Sequence, residues 1–191
     1  MKQKETAELV GVIEKNLRTL NRLRSSLSSA LANDVRILGR TANAALIVAG
    51  LLDNYYTCLE TVFLRISHFF ENELSSDHWH SDLLEKMTIQ IEGVRIPAVS
   101  ESNQGNLVEL LKFRHLRRYY FEVEYDWDRL DFLVRKLEQA HPMVQADMER
   151  FLKFLRALWS SPRRQAILAL RSRSRSWPFL RAPRPPSRDG R

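Results

Sequence analysis

Apolar side chains recur at Leu9, Ile13, Leu17, Leu20, Leu23, Leu27 and Leu31, three or four residues apart. That spacing puts them on one face and predicts an amphipathic helix over about residues 5–31. A second helix is expected over about 41–73. It is apolar nearly all round from Ala44 to Leu52, then carries Tyr55, Tyr56, Leu59, Phe63 and Ile66, which suits a central, deeply packed element. Ser75, Ser76 and Asp77 offer N-caps for a shorter third helix that buries Trp79, Leu83, Leu84, Met87 and Ile91. Residues 93–100, with Pro97, read as a loop. Ser100 is placed to cap a fourth helix reaching about Phe121, and Asp126 a fifth with Leu130, Leu133 and Leu137. Pro142 interrupts the pattern but suits the first turn of a further helix burying Val144, Met148, Phe151, Leu155 and Leu158. Only Phe121 to Tyr125 alternates with period two. The expectation is an all-α, antiparallel bundle of five to six helices with short connections.

Composition supports a packed core: 44% of the 191 residues are hydrophobic and 28% charged, which excludes wholesale disorder. The net charge of +7 is unevenly placed. Nine Arg and one Asp lie from Ser160 onward, leaving 21 basic and 22 acidic residues in 1–159. The sequence therefore divides into a nearly neutral helical body, 1–159, and an Arg/Pro/Ser-rich tail, 160–191. The tail holds five of the seven prolines and alternates Arg and Ser over 171–176. It is expected to be disordered, because it has too little apolar surface to offset the entropy of ordering. Such a tract suits RNA phosphates; an unselected extension, such as a frameshifted read-through, is the plainer alternative. One cysteine, Cys58, excludes a disulfide scaffold and a Cys-rich zinc module. No secretory signal is visible near Met1, and the longest apolar run, nine residues from Ala44 to Leu52, is far short of the roughly 20 needed to cross a bilayer. A cytoplasmic protein without a membrane partner is the expectation.

The most unusual stretch runs from Phe113 to Phe121. Arg114, Arg117 and Arg118 stand at i, i+3 and i+4, so their guanidinium groups share a helix face and repel unless an anion or carboxylates sit opposite. Arg presents a fork suited to phosphate, and neighbouring aromatic rings suit base stacking. Arg114 is also in register with Leu107 and Leu111, on the stripe expected to be buried, where a charge needs a partner or a cleft. The alternative is that these Arg pair with Glu122, Glu124, Asp126 or Asp128 just downstream. His78 and His80 flank Trp79, with His68 upstream. On a helix, side chains two residues apart diverge, so His78 and His80 do not chelate together there, and no HExxH spacing occurs. No metal ligands and no cofactor are assigned. His141, before Pro142, reads as an exposed junction residue, and Cys58 as a buried thiol without a nucleophile's partner. No glycine-rich phosphate loop is present.

Several stretches, in order, resemble the HepT-like branch of the HEPN superfamily, small helical bundles that act as toxins in toxin–antitoxin pairs. They are Leu51 to Glu60, Trp79 to Leu84, Gly93 to Pro97, Phe113 to Arg118 and Glu124 to Asp126. The resemblance implies a homodimer whose protomers bring an Arg-x4-His motif to a shared cleft and cut RNA without metal. The ribose 2′-hydroxyl attacks the adjacent phosphate, the His moves protons and the Arg stabilises the phosphorane charge. It also implies a nucleotidyltransferase antitoxin as partner, which modifies a Tyr two positions after the His. Arg114 matches the motif Arg. The His position is Tyr119, His115 is the nearest imidazole, and the modified position is Phe121, with Tyr119 and Tyr120 beside it. A phenol ordinarily titrates at about 10 and is a poor general base at neutral pH.

The resemblance implies catalytic roles for Arg114, Tyr119 and His115, RNA phosphate contacts for Arg117 and Arg118, and nucleotide modification at Tyr120 or Tyr119. Two further readings remain open at this level. One is a catalytically inactive dimer that binds the nucleotidyltransferase and RNA. The other is an unrelated helical adaptor whose tail binds nucleic acid.

Overall fold

A computed structural model describes residues 2–70, 79–119 and 124–160. The helices are α1 (Lys2–Ser29), α2 (Val35–Leu38), α3 (Ala42–Phe70), α4 (Trp79–Thr88), α5 (Glu101–Tyr119) and α6 (Trp127–Ser160). A π-helical turn, Ala30–Asp34, joins α1 to α2. No strand occurs among the described residues; Ile91 and Arg95 form one isolated bridge. The chain is an all-α bundle, as the periodicity predicts. The caps expected at Ser75, Ser76 and Asp77, the period-two run at 121–123 and the tail beyond Ser160 lie outside the described residues.

Side-chain partners establish the helix directions. Glu14, Asn21 and Arg24 of α1 meet Arg156, His141 and Glu138 of α6, so these helices are antiparallel. Helices α5 and α6 are likewise antiparallel, with Ser100 just before α5 against Asp147 and Glu109 against Arg129. Helix α3 is the centre: Tyr55, Tyr56, Leu59, Phe63 and Ile66 are fully buried. Its first two turns depart from the prediction. Ala44, Ala45, Val48, Ala49 and Leu52 are buried, but Leu46 and Ile47 are exposed, as are Ile37 and Leu38 of α2.

Two expectations are corrected around Pro142. Instead of two helices, α6 continues through the proline as one element of 34 residues. An internal proline loses a hydrogen bond and costs about 3 kcal/mol. Burial on both sides offsets that cost: Leu130, Leu133, Leu137 and Ala140 precede it, and Val144, Met148, Phe151 and Leu155 follow. Pro142 itself points to solvent. His141 is not an exposed junction residue but is 6% exposed. Its Nε2 lies 2.9 Å from Asn21 Oδ1 and its Nδ1 3.0 Å from the Tyr55 hydroxyl.

Asn21 offers an oxygen there, so Nε2 carries the proton and the Tyr55 hydroxyl donates to Nδ1. Burial, with the nearby Arg24 charge, holds the His141 imidazole below its ordinary pKa, against the opposing Glu138. The unfolded chain then takes up the proton first, so this contribution to stability is complete above about pH 6.5 and is lost as pH falls below it. Wild-type protein is expected to lose more Tm than His141→Gln on acidification from pH 7.5 to about 5, measured by circular dichroism. Equal losses would remove His141 as the cause.

The α4–α5 connection is tied down from both sides. Arg95, 2% exposed, donates to the carbonyls of Lys86 at 2.6 Å and Ile89 at 3.0 Å, satisfying groups at the end of α4. Gly93 turns the chain with φ of 70°, a conformation that favours glycine. Ser100 precedes α5 as expected, but its hydroxyl and N–H both donate to Asp147 of α6, each at 2.9 Å. Asp126 caps α6 as predicted, its carboxylate accepting from the N–H groups of Asp128 and Arg129.

Candidate functional site

The buried stripe of α5 is Asn103, Leu107, Leu110 and Phe113. Arg114 stands at the margin of that stripe, facing α3, where Asp53, Thr57 and Glu60 form a polar seam at spacings of four and three. The Arg114 Nε–H donates to Thr57 Oγ1 at 2.9 Å, and Nη2 to Glu60 Oε2 at 2.7 Å. The side chains of Arg114 and Glu60 are 14% and 5% exposed. A guanidinium so held has its Nε–Nη2 edge occupied, which leaves the Nη1 end as the side from which an anion can approach.

Arg117 lies one turn further on. Its Nη1 donates to the Ala49 carbonyl at 2.9 Å and lies 3.4 Å from Asp53 Oδ2. The guanidinium also sits 6.0 Å from the Tyr125 ring centroid, within cation–π range. These contacts correct the downstream pairing for Arg114 and Arg117. Arg114 and Arg117 take their carboxylates from α3, Asp126 is occupied in capping α6, and Glu122 lies outside the described residues. The i, i+3 geometry explains the choice, because both residues project from α5 toward the helix packed beside them. Arg118 is exposed.

His115 and Tyr119 share the adjacent face at i, i+4, with ring centroids 4.5 Å apart. Tyr119 is 56% exposed. Helical geometry turns Tyr119 about 140° away from Arg114, so the two groups diverge within one protomer. Tyr120 lies outside the described residues. The residues not anticipated from sequence are Asp53, Thr57 and Glu60. The available signal was their recurrence along one line of an otherwise apolar helix.

Cys58 is half-buried, and its Sγ lies 3.2 Å from Asn16 Oδ1. Burial pushes this thiol up to about 11, away from the thiolate form that reacts. Among the described residues no three His, Cys, Asp or Glu side chains converge as a metal site; His78 lies outside them. No described helix is long and apolar enough to cross a membrane.

A family model described as HepT-like protein matches residues 47–155, which span α3 to α6 and include every residue of the Arg114 site. No curated protein and no solved structure gives a match.

Proposed function

The chain belongs to the HepT-like protein family, and from that premise we propose that it is the toxin component of a toxin–antitoxin pair, a metal-independent RNA endonuclease with a degenerate Arg-x4-His motif. The carrying observation is the clamped guanidinium of Arg114, fixed by Thr57 and Glu60 along one edge. A fixed cationic fork stabilises the charge that develops on a phosphate without reorganising during the reaction. In this reading the ribose 2′-hydroxyl attacks the adjacent phosphate and expels the 5′-oxygen of the next nucleotide. Tyr119 and His115 exchange the protons, and Arg117 and Arg118 contact flanking phosphates. The divergence of Arg114 from Tyr119 within one chain favours a homodimer, in which the cleft draws on both protomers. A nucleotidyltransferase antitoxin is the partner, with Tyr120 or Tyr119 as the acceptor of its nucleotide.

One observation favours a second reading, a catalytically inactive dimer that binds the nucleotidyltransferase and RNA. No imidazole stands five to seven residues after Arg114, and a phenol handles protons poorly at neutral pH. Full-length protein incubated with RNA in excess EDTA decides between them. Metal-independent cleavage yielding 2′,3′-cyclic phosphate ends is expected. Binding without any cleavage would select the inactive reading, and cleavage only after adding a divalent cation would remove the mechanism.

A further inference from the structure

The outer face of α1 is poor in acidic residues. From Gly11 to Asn33 the only acidic residue is Glu14, and it turns toward α6 to meet Arg156 at 2.7 Å. Arg24 is likewise committed to α6, through Glu138 at 2.6 Å. Lys15, Arg18 and Arg22 remain, all exposed, at spacings of three and four. They form one line along the helix over about 10 Å of its axis. No carboxylate among the described residues pairs with any of them; Arg22 Nη2 donates only to Thr19 Oγ1, at 3.2 Å. Ser25, Ser26 and Ser29 continue the exposed surface with hydroxyl donors.

We propose that this line of Lys15, Arg18 and Arg22 is a docking surface for the phosphate backbone of single-stranded RNA, a track outside the Arg114 site. The proposal rests on the reading of the protein as one that engages RNA. Three features select that partner. A row of unpaired cations with adjacent hydroxyls matches the repeating phosphates of a nucleic acid, which are neutralised mainly by Lys and Arg. A lipid surface would call for exposed apolar side chains beside the charges, whereas Leu9, Ile13, Leu17, Leu20 and Leu27 of α1 are all buried. A protein interface would call for a desolvated aromatic or aliphatic anchor, and the line presents none. The track lies on residues before the matched family segment, which begins at residue 47.

The test uses full-length protein and a fluorescent single-stranded RNA, with affinity measured by anisotropy across a salt series. Arg18→Gln/Arg22→Gln is compared with Arg135→Gln/Lys153→Gln, which removes the same charge from exposed positions on α6. Each phosphate contact contributes about 0.7 to the slope of log affinity against log salt for a single strand. The α1 pair is therefore expected to lower the slope by more than one unit, and the α6 pair to leave it near the wild-type value. Equal slopes for the two pairs would overturn the track, as would an α1-dependent affinity for phosphatidylserine vesicles exceeding that for RNA. Cleavage by the Arg18→Gln/Arg22→Gln protein at saturating RNA, read separately, tracks the Arg114 site. A failed track with intact cleavage thus leaves the proposed function standing.

Discussion

Replacing Arg114 with Ala is expected to lower RNA cleavage by about 10²- to 10³-fold, the usual cost of losing a group that stabilises developing charge. The same substitution takes the guanidinium away from Glu60, a carboxylate only 5% exposed. Removing one partner of a buried pair destabilises by about 3–5 kcal/mol, so lost activity alone would be ambiguous. A double variant, Arg114→Met with Glu60→Leu, separates the effects. Apolar side chains of similar volume replace a buried ion pair at little cost, so Tm should recover toward wild type while cleavage stays lost. Arg114→Lys keeps the charge but cannot hold Thr57 and Glu60 through one fork, and it should recover little activity. If the double variant folds and cleaves like wild type, Arg114 has no part in the chemistry.

Tyr119→His is expected to raise cleavage by about 10²-fold, the lower end of what positioned general acid–base catalysis contributes. Tyr119 is 56% exposed and touches the His115 ring, so the change should move stability by no more than about 0.5 kcal/mol. Initial rates at neutral pH in EDTA measure the effect directly. An unchanged rate in an active enzyme would show that position 119 lies off the proton path. Activity appearing only in the His variant would mean that the natural chain belongs to the inactive reading.

Much of this architecture is legible in the sequence because helical periodicity reports burial directly. The leucine line of α1, the aromatic line of α3 and the cap at Asp126 are local signals, and each places its helix. Pro142 shows where local reasoning stops. A proline breaks a helix on its own account, but here two buried stripes flank it, and tertiary packing outweighs the local loss. The burial of His141 escapes local reading for the same reason, since its partners Tyr55 and Asn21 are 86 and 120 residues away. At the site, the Arg114 register is readable because the need for a partner follows from its register with Leu107 and Leu111. Its partner is not readable in that way. Downstream acids are nearer in sequence, whereas Glu60 and Thr57 become neighbours only once α3 and α5 lie side by side.

The Arg114–Glu60 pair also constrains how the gene can drift. Either residue changed alone leaves a buried charge behind, so each single step crosses a fitness valley even where the double change is tolerated. Tolerance at position 60 should therefore be conditional on position 114. A pairwise mutational scan for folded protein would register that dependence as strong epistasis, whether or not any RNA is cut.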